Sequence, residues 1–203
     1  MARIDSVTAL RSIIGIPNAL VPLKIHNELN DRATEFIGRS PMFLLSTSGM
    51  DGSPTVSPKG DEPGFVSVED RRTLLVPERK GNKLIFSLTH ILENPRVGLL
   101  FLLPGTDETL RVQGSAELVD DAQLCQRLGA RGAPALLVMR VRIVECYFHC
   151  AKAFLRSRLW QPESWSEKMA ISFGREIAEQ GGLDAGAVEE FDRGVASRYC
   201  GDL

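Results

Sequence analysis

Cysteine is scarce: Cys125, Cys146, Cys150 and Cys200 are the only four in 203 residues. That is too few for a disulfide framework in a chain long enough to build a core without one, so they read as reduced thiols. An excess of charge of one sign is also missing. The 24 Lys and Arg face 26 Asp and Glu for a net charge of -2, which offers no global attraction to nucleic-acid phosphates or anionic lipid. Apolar runs such as Val97 to Leu103 and Ala135 to Met139 fall well short of the ~20 residues of a bilayer-crossing helix. The first twenty residues hold an early Arg, an acid after it, no unbroken apolar stretch and no small-residue cleavage site, and read as a mature, cytoplasmic start. Repeats and low-complexity tracts are absent, as are a Walker motif, a GxGxxG fingerprint and a catalytic triad. Nucleic-acid and membrane partners are therefore not expected.

What is present is the balance of a globular domain, 43% hydrophobic and 25% charged, and the length suits one domain over residues 1–203. Asp5 or Ser6 can cap a first helix that Gly15 and Pro17 stop. Apolar spacing from Leu23 to Ile37 predicts a second helix closed by Gly38. The period then shortens toward two, in MFLLSTS, PTVSP, GFVSV and RTLLVP, with an Asp51-Gly52 hairpin turn between the first two runs. A basic connection, Glu78 to Lys83, leads to a helix with Leu84, Leu88, Ile91 and Leu92 on one face, ended by Asn94-Pro95. Strands follow at Arg96 to Leu103, Glu108 to Val119 and Ala135 to Phe148, with a short helix after Asp120 or Asp121. From Cys150 the pattern is helical, with segments at 168–180 and 184–199 split by Gly181-Gly182. Closely spaced strands with one embedded helix predict a small antiparallel barrel. Helices over 1–38 precede its core (39–149), and a helical extension over 150–203 follows it.

The segments GNKLIFSLTHILENPRVGLLFLLPG (81–105) and ETLRVQGSAEL (108–118) resemble the FMN-binding split barrels of the pyridoxamine 5'-phosphate oxidase superfamily. SPKGDEPGFV (57–66) and CYFHCAKAFLRSRLW (146–160) resemble a less-characterised group of FMN-dependent proteins within it. The resemblance spans about residues 36–150. It implies a mainly β, six-stranded antiparallel split barrel with flanking helices, and a homodimer holding FMN in clefts between subunits. It also implies an oxidoreductase acting on a small molecule. The C-terminal basic strand motif of true pyridoxamine phosphate oxidases is missing, which argues against vitamin B6 chemistry. A flavin-binding redox sensor without turnover, or a binder of a deazaflavin or tetrapyrrole, needs the same barrel.

A flavin phosphate needs cations and open backbone N–H groups at close approach. Arg79, Asn82 and Lys83 lie in the connection that can supply both, with Ser87 adding a hydroxyl from the helix behind it. The resemblance sets Val56, Ser57 and Lys59, at the end of the second strand, and the backbone of Val76 and Pro77 against the flavin ring. Lys59 there can stabilise negative charge on the reduced ring; a plain surface lysine is the alternative. Asp61-Glu62 reads as solvated charge. Arg111 and Gln113 share one side of their strand, as cross-subunit flavin contacts or as a dimer salt bridge. Lys152, Arg156 and Trp160 follow at four-residue intervals on a predicted helix from Cys150, where two cations and an indole suit an anionic planar ligand. Lys152 and Arg156 are accordingly the candidate catalytic residues, and His149 stands beside them. The Cys146, His149, Cys150 cluster lacks a spaced fourth ligand and reads as structural thiols rather than a metal site.

Overall fold

The computed structural model describes residues 3–201, except for the side chain of Cys200, which lies outside the described residues. In chain order the elements are α1 (Val7–Ile14), α2 (Asp31–Arg39), β1 (Met42–Ser48), β2 (Pro54–Gly60), β3 (Ser67–Asp70), β4 (Thr73–Glu78) and α3 (Phe86–Glu93). There follow β5 (Arg96–Leu102), β6 (Thr109–Val119), α4 (Ala122–Arg127), β7 (Leu137–His149), α5 (Lys152–Ser157), α6 (Phe173–Gly181) and α7 (Ala185–Gly201).

Seven strands form one antiparallel sheet in the order β2-β1-β5-β6-β7-β4-β3. The resemblance implies six strands where the sheet has seven; the shortest is β3, which overlaps the end of the GFVSV run and pairs only with β4. Alternation along each strand sends one set of side chains inward, Phe43 and Leu45 from β1, Leu99 and Phe101 from β5, Leu110 and Val112 from β6, all buried in one core. Each such side chain contributes about 1.5–3 kcal/mol by leaving water. The sheet curls until β2 faces the end of β4, and no backbone pairing joins those two strands. The barrel is split there.

β7 reads as one alternating strand, yet its alternation changes phase. Gln113 pairs with Glu145 and Gly114 with Ile143, so Val144 is an extra, exposed residue in a β-bulge. Before it Met139, Val141 and Ile143 point inward; after it Cys146 and Phe148 do. The bulge needs Gly114, because a Cβ there would lie 2.1 Å from the Arg142 carbonyl oxygen.

The helices differ more from expectation. The second one begins at Asp31, not near Leu23, because the Asn30 side chain accepts the Ala33 N–H at 2.9 Å and caps it. Upstream of that cap, His26 instead bridges to Cys146 on β7, and Leu29 donates its N–H to the Arg71 carbonyl. Gly38 lies inside α2, which ends at Arg39. On α3 the buried side chains are Ser87 and Ile91, whereas Leu92 is exposed and Leu84, also exposed, lies ahead of the helix. α5 stops at Ser157, where Arg158 turns left-handed at φ 51°, so Trp160 is not on the helix of Lys152 and Arg156. It stacks on Phe154 and donates its indole N–H to the Thr106 carbonyl at 2.9 Å. At the C-terminus α6 and α7 form a hairpin fastened by Asp192, which accepts hydrogen bonds from the Gly174 N–H and the Ser172 hydroxyl. No helix among the described residues is long and apolar enough to cross a membrane.

Gly114→Ala forces the bulge apart. We expect a loss of about 3 kcal/mol or more in urea unfolding; a loss within about 0.5 kcal/mol would show that β6 and β7 do not need this close approach.

Candidate functional site

A cavity of about 550 Å³ opens at the split. Its walls are Ser57 to Gly60 from β2, Pro77 and Glu78 from β4, the connection 79–85, the first turn of α3, and Leu136 and Leu137 at the start of β7. Three ion pairs close the seam beside it. Lys59 Nζ donates to both Glu78 carboxylate oxygens, at 2.8 and 2.6 Å, linking β2 directly to β4. Arg79 donates from Nε to Asp61 Oδ2 at 2.8 Å and from Nη1 to the Leu128 carbonyl at 2.8 Å, and Arg131 reaches Asp61 Oδ1 at 2.7 Å. The Asp61 side chain is 2% exposed. Its burial opposes ionisation, but the hydrogen bonds from Arg131, Arg79 and the Glu62 N–H outweigh that and hold the carboxyl below its ordinary range.

The connection itself is strained. Lys83 and Ile85 sit at φ 63° and 47°, left-handed values that a β-branched residue such as Ile85 adopts only when its surroundings impose them; strain of this kind costs about 1–3 kcal/mol per residue and gathers at ligand-holding segments. Asn82 Oδ1 accepts the Leu84 N–H at 3.1 Å and shapes the turn. No side chain caps α3, so its first N–H groups remain available to a ligand in the cavity. Among the described residues, Lys80 and Lys83 form no ion pair, and the hydroxyl of Ser87, a largely buried residue of the cavity wall, makes no hydrogen bond within the protein and stays open to solvent. Two unpaired ammonium groups, open helix N–H groups and a waiting hydroxyl match the chemistry of a phosphate monoester.

Of the residues singled out from sequence, Ser57, Lys59, Pro77, Arg79, Asn82, Lys83 and Ser87 meet around this one cavity. Two carry a partner that the sequence reading lacks: the charge of Lys59 is matched by Glu78 and that of Arg79 by Asp61. Asp61 is accordingly not solvated charge. Val56 points to the outer face of β2, 61% exposed, and Val76 is packed in the core. Beyond Leu75, however, β4 has no β3 partner, so the backbone of Val76 to Glu78 borders the split. Arg111 and Gln113 lie on the outer face of β6, opposite Tyr147 and Glu145. Lys152, Arg156 and Trp160 belong to the segment after β7, away from the cavity walls. Cys146 is buried with its thiol 3.2 Å from the Glu28 carbonyl, and desolvation, then Glu145, push its pKa up, as for a structural thiol. Among the described residues, no group of three or more His, Cys, Asp and Glu side chains is placed to hold a metal.

The pyridoxamine 5'-phosphate oxidase family profile matches residues 29–150, more than half of the chain. The chain belongs to that family, and the match ends where the strands end. Similar solved structures include a candidate pyridoxamine 5'-phosphate oxidase from Lactobacillus delbrueckii, 25% identical over 60% of this chain and 95% of that one, with a TM-score of 0.47. HupZ from Group A Streptococcus is 15% identical over 59% and 93%, with a TM-score of 0.48. An FMN-binding protein from Syntrophomonas wolfei is 12% identical over 58% and 88%, with a TM-score of 0.43. No curated protein matches.

Asp61→Asn removes the shared anion of Arg79 and Arg131, and we expect a loss of about 1–3 kcal/mol in urea unfolding at neutral pH. Folded Asp61 holds its proton less tightly than in the unfolded chain, so its stabilisation is present above the ordinary value of 3.8 and lost as pH falls through the depressed folded value. The difference between wild type and variant should therefore shrink on acidification below that value. A constant difference down to acid unfolding would count against the ion pair as its source.

Proposed function

We propose that the chain is an FMN-dependent oxidoreductase acting on a small molecule, working as a homodimer with the flavin between subunits. The observation that carries this reading is the strained basic connection at the split. In this reading Lys80, Lys83, Asn82, Ser87 and the first N–H groups of α3 hold the phosphate. Arg79, tied to Asp61, orients the connection from behind. Ser57, Lys59 and the free backbone edge of Val76 and Pro77 face the ring. When bound, FMN supplies the redox chemistry, its isoalloxazine accepting a hydride from a small reduced molecule. The Lys59 ammonium, held between Glu78 and the cavity, donates to an electron-rich ring edge, and Glu78 keeps that ammonium in place.

Exposed apolar surface supports the homodimer. α1 buries none of its residues, and Val7, Ile13 and Ile14 are each more than two-thirds exposed. Val56, with Leu44 and Leu100 half-buried beside it, forms an apolar patch on the outer sheet face, and Phe173, Ile177 and Phe191 remain uncovered on the C-terminal hairpin. Such area on one chain fits a second copy. Arg111 and Gln113 then face the partner's flavin, and Lys152, Arg156 and Trp160 border the substrate's entry. Cys125, Cys146 and Cys150 are free thiols, which suits a reducing, cytoplasmic setting.

Titration with FMN tests the reading. Lys83→Ala should weaken FMN binding roughly ten- to a hundredfold, the loss of one charge-assisted contact, while riboflavin, which lacks the phosphate, should bind wild type and variant alike. Equal FMN affinity in both would sink the phosphate placement. A flavin spectrum that bleaches with a reduced donor and returns in air identifies turnover. Binding without bleaching by any donor points to a sensor, and failure to bind FMN points to a deazaflavin or tetrapyrrole.

A further inference from the structure

The cations around the cavity at the split are unevenly matched. Among the described residues Lys80 and Lys83 form no ion pair, and Arg79 and Arg131 share the single carboxylate of Asp61. Lys59 is the exception. Its Nζ lies 2.8 and 2.6 Å from the two carboxylate oxygens of Glu78, so one anion meets its whole charge. Strand alternation turns both side chains inward. Lys59 pairs with Phe43, a fully buried core residue, and antiparallel partners share a face. Glu78 lies two residues beyond Val76, which is also in the core. The two side chains are 17% and 21% exposed, and both residues line the cavity.

A lysine alone at this wall would bring a full positive charge to the cavity, where partial burial leaves it less screened than at the surface. Paired with Glu78 it brings almost no net charge, yet it remains a donor: an ammonium has three N–H groups, two go to the carboxylate, and one is left to give. The net positive charge of the cavity therefore sits at the connection, and the wall of Lys59 and Glu78 is near neutral. Such a distribution suits a ligand with an anionic tail and an uncharged head, which is the charge pattern of oxidised FMN. Reduction changes that pattern, because a ring that takes up two electrons and a single proton is left with a negative charge. A net cation beside the ring favours this reduced anion, and a neutral pair does not.

We propose that Glu78 is a positioning residue that sets the reduction potential of the bound flavin, cancelling the charge of Lys59 while leaving the lysine in place as a donor. The inference rests on the FMN reading of the cavity and adds the direction of tuning. The potential is held lower than an unpaired lysine would make it, so the reduced flavin passes its electrons to an acceptor more readily. The other seam acid cannot play this part: Asp61 is shared by two guanidinium groups and leaves them a net positive charge.

The experiment is a reductive titration of the FMN-loaded full chain against a reference dye, which reads a potential and needs no turnover. Glu78→Gln should shift the ratio of reduced to oxidised flavin at a fixed potential about tenfold toward reduced, about 30 mV upward for a two-electron couple. Sulfite reports the same charge independently, since its addition to the oxidised ring leaves the ring anionic, and Glu78→Gln should bind it more tightly. Lys59→Gln leaves Glu78 as a lone anion and should move both readings the opposite way. The double variant, Lys59→Gln with Glu78→Gln, keeps a donor and holds no lone charge, and should return both close to wild type. A contact that only braces the seam would lower FMN affinity and urea stability in Glu78→Gln and leave the potential where it was. An unchanged or lower potential in Glu78→Gln overturns the inference while the FMN reading stands. If that variant does not fold, Lys59→Gln and the double variant still differ by the same acid; the double should have the higher potential, and equal values reject the inference. A wild-type chain that binds no FMN defeats the reading of the cavity and this inference with it.

Discussion

A sheet that curls without closing must be held across its open seam by something other than backbone hydrogen bonds. Here that task falls to Lys59 with Glu78 and to Asp61 with Arg79 and Arg131. Part of this network is deep: the Asp61 carboxylate is almost wholly buried and depends on Arg79 and Arg131 for its hydrogen bonds. The seam lets two strand ends stand apart with free backbone edges and a cavity between them, a gap that a closed barrel would fill with a ladder. Everything proposed for the cofactor depends on that gap.

The connection behind the seam shows how cations are divided between structure and ligand. Arg79 is held by an acid and a carbonyl, whereas Lys80 and Lys83 are left without partners. A guanidinium suits the fixed, bidentate work, and a flexible ammonium suits a ligand that comes and goes. Left-handed backbone at Lys83 and Ile85 is the local cost.

Strand positions were the most legible part of the chain, because alternation and turn residues are local signals: β1, β2, β4, β5 and β6 lie close to where the pattern sets them. The second helix starts later than its spacing predicts because Ile25 and Leu29 fit a four-residue spacing by coincidence, while the Asn30-Asp31 cap signal marks the true start. The four-residue period reaches Trp160 in the sequence but not in the structure, because the left-handed turn at Arg158 that ends the helix has no mark in the sequence. At the site, the basic connection was readable from composition, but its acids were not. Glu78 and Asp61 lie 19 and 18 residues from Lys59 and Arg79, and only the curl of the sheet brings them together.

The unpaired Val144 decides the facing of everything after it in β7. Were the bulge flattened with that residue kept, the strand beyond it would slip by one: Cys146 and Phe148 would be driven to the outside while Tyr147 and His149 were pressed into the interior. Removing Val144 altogether would instead leave both halves facing as they do, so it is the close approach at Gly114, rather than the length of the strand, that keeps the core side of β7 in register.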